Sequence, residues 1–175
     1  SEQKAIETLS ALGVSVRPIA QNLDWKEATI RPQDTNKLGE VLAELKSISS
    51  IVQLNLAGQH IKDEDLKNIE ALTNLQRLHL ENNPLTDAGL EHLKNLTHLE
   101  YLNLYNTQVT DAGLEHLKGL SNLENIYLWQ SKVTAEGAEK LRKDLPEANI
   151  NIGDELKLMA KADGEKKDEK KEEKK

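Results

Sequence analysis

The chain has 175 residues, 30% of them charged, a formal net charge of −7 and no cysteine. That length favours one domain with a buried core. The negative balance argues against nucleic acid as the main partner, because phosphate contacts need a basic field. Absent cysteine removes disulfides, thiolate metal sites, cysteine nucleophiles and covalent haem attachment together.

In chain order, Glu2–Leu12 reads as an amphipathic helix ended by Gly13, and Val14–Val16 as a short strand stopped near Pro18. A degenerate rung follows. In it Ile30 aligns with the second strand leucine of later repeats, Pro32 stands where the third should be, and Leu42, Leu45 and Ile48 fall at helix positions. Residues 1–50 are therefore expected to form an N-terminal cap with one degenerate repeat.

Four regular rungs occupy residues 51–146. At a 24-residue period the chain writes Ile51-Val-Gln-Leu54-Asn-Leu56, Leu75-Gln-Arg-Leu78-His-Leu80, Leu99-Glu-Tyr-Leu102-Asn-Leu104 and Leu123-Glu-Asn-Ile126-Tyr-Leu128. Each is LxxLxL, a leucine-rich repeat. The LxL alternation is a short strand with its leucines turned inward. The polar ninth position (Gln59, Asn83, Thr107, Ser131) turns the chain and can bond exposed backbone from inside the turn. Thr86, Thr110 and Thr134 precede helical patterns as N-caps do, with Asp87 and Asp111 in the first turn. Leu90, Leu93 and Leu96, matched by Leu114, Leu117 and Leu120, pack one helical face back on the strand. The nine-residue word TDAGLEHLK returns unchanged at Thr86 and Thr110, because identical stacked rungs bury each other's leucines. Gly89 and Gly113 cost helix propensity, ~1 kcal/mol each against Ala. Close approach between rungs would be a reason to keep them.

Near the end, Leu145 is one place off register, Pro146 ends the helix, and Ile150 and Ile152 resume the strand spacing. Residues 147–160 are expected to close the stack as a half-repeat. Lys161–Lys175 carries seven Lys and six acids with nothing to bury, and is expected to be a disordered, nearly neutral tail. No apolar run approaches the ~18 residues of a membrane span. No signal-peptide pattern is visible at Ser1, and the expectation is a mature form or an excised piece. The whole is an α/β leucine-rich-repeat solenoid with right-handed strand–turn–helix repeats and an N-terminal helical cap.

The wording of the repeats, VTDAGLEHLKGL preceded by LEYLNLYNTQ, resembles leucine-rich repeats of Planctomycetes, Verrucomicrobia and Bacteroidota. The closing segment Ile126–Gln130 with Leu141–Pro146 resembles the last repeat of one subgroup. There the repeats form the C-terminal part of envelope proteins that also carry a c-type cytochrome domain. Ala5–Gln21 is similar to the segment joining cytochrome and repeats in that subgroup. The resemblance covers roughly residues 4–153. It implies a bacterial periplasmic or cell-surface setting and repeats that bind protein. It implies no catalytic residue, and no CxxCH is present to carry haem.

The outward strand positions are the third, fifth, seventh and eighth of each rung. Four of the five aromatics, Tyr101, Tyr105, Tyr127 and Trp129, fall on them, far more than random placement would give. They should cluster on neighbouring rungs of the concave strand face, as a binding patch of large amphipathic side chains. Arg77, His79, Glu81 and Asn103 border it. The same placement also follows from strand propensity and cross-strand pairing. Five strands would give a sheet ~19 Å wide, small beside the ~800 Å² per partner of a standard interface. A protein partner would then need loops or the cap as well, whereas a glycan could be satisfied by the patch alone. A third reading is a structural spacer attached to a cytochrome domain.

Neither the repeated His92 and His116 nor the acidic column Asp63, Asp87, Asp111 reads as a metal site; the aspartates read as helix-start charges. No cofactor is expected. No nucleophile–base pairing and no phosphate loop is visible, so a non-enzymatic, monomeric binding module is the expectation.

Overall fold

The computed structural model describes residues 1–21, 23–30 and 37–153. Pro32, the second part of the expected closing half-repeat and the Lys/Glu-rich tail lie outside them. Seven strands form one sheet in sequence order: β1 Val14–Pro18, β2 Lys26–Ile30, β3 Ile51–Asn55, β4 Arg77–His79, β5 Tyr101–Asn103, β6 Asn125–Tyr127 and β7 Asn149–Asn151. β1 and β2 are an antiparallel pair, and from β2 onward every pairing is parallel. The sheet is thus two strands wider than the sequence suggested, ~29 Å across at ~4.8 Å per strand. β1 escaped the repeat count because it runs against the others.

Register across the parallel strands is strict. Leu54, Leu78, Leu102, Ile126 and Ile150 pair in one row. With Leu56, Leu80, Leu104 and Leu128 they are at most 2% exposed. The degenerate rung departs from the expected alignment. Ala28, not Ile30, pairs with Leu54, and the register shifts between Lys26 and Glu27. Ala28 is buried and Ile30 is half-buried. The first rung is two residues longer than the rest, so a fixed 24-residue offset points two places too far along.

The return segments of the first three regular rungs are shorter and tighter than full α-helices. Two α-helices precede the regular rungs: α1 Glu2–Ala11, which buries Ala5 and Leu9 at the N-terminal end, and α2 Leu38–Leu45. The first regular rung has only a 3₁₀ segment, Asp63–Asn68. The next has α3 Asp87–Leu90 running into 3₁₀ turn at Glu91–Leu93, and the next α4 Asp111–Leu114. A chain of i→i+3 backbone bonds continues each return, as in Leu117 to Leu114, Leu120 to Leu117 and Leu123 to Leu120. Three residues per turn is the 3₁₀ repeat. That is why Leu114, Leu117 and Leu120 recur at steps of three and are all buried. The last return, α5 Ala135–Asp144, is a ten-residue α-helix. At 3.6 residues per turn its buried face is Ala138, Leu141 and Leu145, which accounts for Leu145 standing one place off the repeat.

The ninth positions satisfy turn backbone from within. Asn83 Nδ2 donates to Leu56 O and Leu80 O, both at 2.9 Å, while its Oδ1 accepts from Ile61 N–H at 2.9 Å. Thr107 and Ser131 hydroxyls donate to Leu104 O and Leu128 O. The eighth positions just before them are left-handed, with φ of 65° at Gly58, 58° at Asn82, 53° at Asn106 and 57° at Gln130. Gly and Asn tolerate that region best, which explains three of the four.

On the return side, the aspartates do more than start helices. Asp63, Asp87 and Asp111 each accept from the backbone N–H and the hydroxyl of the threonine one rung on: Thr86, Thr110 and Thr134. Each threonine hydroxyl in turn caps its own helix, accepting from Ala88, Ala112 or Gly137 N–H. A Cβ on Gly89, Gly113 or Gly137 would collide with that aspartate. The glycines are therefore kept for close rung approach, and Asp–Thr–Gly forms a continuous inter-rung ladder.

Candidate functional site

The strand face is built by alternation. With the leucine row turned into the core, the third and fifth positions of each rung must point the other way. Their side chains line up in rows: Gln53, Arg77, Tyr101, Asn125 and Asn149 in one, and Asn55, His79, Asn103, Tyr127 and Asn151 in the next. The seventh position, just past each strand, adds Ala57, Glu81, Tyr105, Trp129 and Gly153.

The four expected aromatics come together as two groups. One runs across three rungs: His79 lies 4.9 Å from Tyr101, and Tyr101 lies 5.4 Å from Tyr127, centroid to centroid. The Arg77 guanidinium carbon sits 4.1 Å from the centroid of the Tyr101 ring, a cation–π geometry. The other group is Tyr105 against Trp129 at 5.5 Å. All ring pairs are tilted, the geometry that suits the aromatic quadrupole. The three tyrosines are half-buried, whereas Trp129 is 51% exposed.

Glu81 and Asn103 are tied into this surface differently. Asn103 Oδ1 accepts from Tyr105 N–H at 3.0 Å, so its carbonyl end shapes the turn. Glu81 Oε1 is 3.1 Å from His79 Nδ1. Its Oε2 is buried and has no hydrogen-bond partner among the described residues. Burial first, and then the Glu81 charge, holds the Tyr101 phenol above its ordinary value, so it stays a neutral hydroxyl.

Charge is unevenly spread over the face. Among the described residues, the outward strand positions from Tyr101 to Asn151 carry amides and aromatics and no charged side chain. Charge is confined to the earlier rungs: Arg17 beside Glu27, Arg77 over the Tyr101 ring, and Glu81 beside His79.

Two features of the surface were not expected from sequence. Gly153, at φ 89°, lies directly under the Trp129 indole, where any Cβ would collide with the ring. At the other end, the β1–β2 turn exposes Ile19, Leu23 and Trp25, the fifth aromatic. Its only sequence signal was an aromatic outside the repeat columns. His92 pairs with Glu70 on the return side, away from the strand face. Among the described residues no group of three or more His, Asp or Glu is arranged to hold a metal ion, and no helix is long and apolar enough to cross a membrane.

Comparison with known proteins agrees with this geometry. The family model described as Leucine Rich repeats (2 copies) matches residues 73–117. Internalin C2 of Listeria monocytogenes is similar at 30% identity and a TM-score of 0.53, over 62% of this chain and 44% of that one. The C-terminal domain of tropomodulin from Caenorhabditis elegans overlays at a TM-score of 0.56 and 14% identity, over 84% and 92% of the two chains, a likeness of fold alone. The chain spans less than half the length of internalin C2 and of internalin F from the same bacterium. No curated protein sequence matches it. The chain is a leucine-rich-repeat solenoid of the α/β class, a fold that generally serves as a non-enzymatic protein-interaction module.

Proposed function

We propose that this domain holds a protein partner on its strand face, centred on Tyr105 and Trp129. The observation that carries the reading is Trp129: a half-exposed indole, tilted against Tyr105 and seated over Gly153, on a surface of tyrosines and amides. Rigid Tyr and Trp give large contact area at little entropic cost, and Asn supplies adaptable hydrogen bonding. A sheet of seven strands eases the size problem, because the face extends to Ser15 and Arg17 on β1. The setting we propose is a bacterial periplasm or cell surface. It is supported by the resemblance of Ala5–Gln21 and of the closing repeat to cytochrome-linked envelope proteins, and a cytochrome domain in the parent protein belongs to the same proposal.

A second reading is favoured by one observation, the lack of charged side chains at the outward strand positions from Tyr101 to Asn151. Amides and aromatic faces without charge also suit a neutral glycan. Affinity capture from native envelope extract separates these readings. The domain is compared with a Tyr105→Ala/Trp129→Ala variant already shown to be folded. A protein retained by the parent and lost by the variant supports the proposal. Retention of a glycan instead supports the second reading. Identical capture by both, or none, leaves a structural spacer as the better account.

A further inference from the structure

The Glu81 carboxylate is the one acid on the strand face with a buried oxygen that lacks a partner among the described residues. Glu27 is the other acid there, 4.0 Å from Arg17 and more exposed. Glu81 Oε1 is engaged by His79, but Oε2 is buried without a partner. Such an atom is costly to leave unpaired, since its water is lost and nothing replaces it. Arg77, the cation of the same rung, does not fill the gap: it lies over the Tyr101 ring, and among the described residues no ion pair joins it to Glu81.

Position gives the missing partner a shape. Glu81 and Tyr105 hold the same place on adjoining rungs, joined by the backbone bond from Asn82 N–H to Tyr105 O at 2.9 Å. Beyond Tyr105 stands Trp129, and on the other side only Ala57. A ligand reaching Glu81 therefore meets a carboxylate oxygen at one end and aromatic faces at the other. A guanidinium satisfies both at once. It is planar, stacks on aromatic rings and donates in a fork to a carboxylate. The net charge of −7 favours the approach of a basic group. Glu81 itself is half-buried, so the partner's arrival must be accompanied by a side-chain rearrangement that uncovers Oε2, the commonest kind of change at an interface.

We infer that the partner inserts an arginine side chain between Glu81 and the Tyr105 ring, making Glu81 the specificity-determining acceptor of the strand face. This rests on the protein-binding reading above.

The test uses the whole chain, isotopically labelled, titrated at low salt with acetyl-Gly-Arg-Gly-amide and with its Gln counterpart. The arginine peptide should give saturable shifts at the Glu81 side-chain carboxyl and at the Tyr105 and Trp129 rings, and the Gln peptide should not. Glu81→Gln should weaken the arginine peptide by about tenfold or more, as loss of a charge-assisted bond does. Glu115→Gln, the same charge change on the return side, should leave it unaltered. The inference is overturned if the two variants weaken binding equally, if the two peptides behave alike, or if Glu81 does not respond. In the capture experiment, Glu81→Gln protein that retains a partner lost by the Tyr105/Trp129 variant would sink this inference and leave the protein-binding reading standing.

Discussion

The Asp87 carboxylate accepts from the Thr110 backbone N–H at 2.7 Å and from the Thr110 hydroxyl at 2.6 Å, one full rung further along the chain. The same hydroxyl accepts from Ala112 N–H, so one carboxylate orients the cap of the next helix. Hydrogen bonds to a charged group contribute about 1.5–3 kcal/mol each at most, less where water competes. Asp87→Ala should therefore destabilise the solenoid by about 2 kcal/mol. Urea unfolding of the variant checks this; a loss below ~0.5 kcal/mol, the size of an ordinary surface change, would show that the ladder is incidental.

Gly113→Ala tests the same ladder from the other side. The added Cβ meets the Asp87 carboxylate and lies 3.1 Å from its Cα, so it has a backbone atom to displace. Better helix propensity would by itself stabilise by ~1 kcal/mol. The clash should win, with a net loss of about 1–3 kcal/mol, the range for overpacked sites. A stabilised Gly113→Ala protein would mean that the rungs are free to separate.

Much of this was legible from residues alone. LxxLxL at a strict period set the strands, their inward rows and the caps, because a rung buries its leucines only in one register. Other features were hidden because they do not repeat. β1 is antiparallel and Ala28 replaces a leucine, so the first rung's length could not be read from an offset. The aromatic columns placed Tyr101, Tyr105, Tyr127 and Trp129 on one face, but not their division into two groups. The Asp–Thr–Gly ladder was written in the sequence as TDAG at Thr86 and again at Thr110, with only its aspartate at Asp63 and only its threonine and glycine at Thr134 and Gly137. It was unreadable as a contact, because nothing in one dimension says that the aspartate reaches forward by a rung.

The two aromatic groups should differ in what they contribute to folding. Tyr101 and Tyr127 are half-buried and in ring contact, so a double-mutant cycle with leucine at each should give a coupling of about 0.5–1.5 kcal/mol. Trp129 is half-exposed, and Trp129→Ala should cost much less than the about 2–5 kcal/mol expected of the core change Leu102→Ala. Thermal or urea unfolding compares them. If Trp129→Ala is as damaging as Leu102→Ala, the indole is structural and its role as a contact surface is lost.

Gly153 positions that indole. Gly153→Ala places a methyl inside the ring's seat and asks an L-residue to hold φ 89°. The indole N–H resonance of Trp129 should shift while that of Trp25 stays, and partner binding should fall with little global unfolding. An unmoved Trp129 resonance would contradict the packing described.

Tyr101 carries a pH signature. Burial, and then Glu81, raises its phenol above the ordinary value of about 10. A raised folded value means that the native state holds this proton when the unfolded state has released it. Stability from Tyr101 is therefore complete below about pH 10 and is lost as pH rises through the folded value. Titration of Tyr101, followed by its ring resonances, should run above the ordinary phenol value, and Glu81→Gln should bring it partway back. A Tyr101 that titrates at its ordinary value would contradict the environment assigned to it.

The central claim, that the strand face is the binding surface, is tested most directly by photo-crosslinking. A benzophenone amino acid at position 105 replaces one aromatic with another, and the same group at Lys118 reports on the return side. In native extract, illumination should give a protein adduct from position 105 and none from position 118. Adducts from 118 alone would place the partner on the helices and contradict the account.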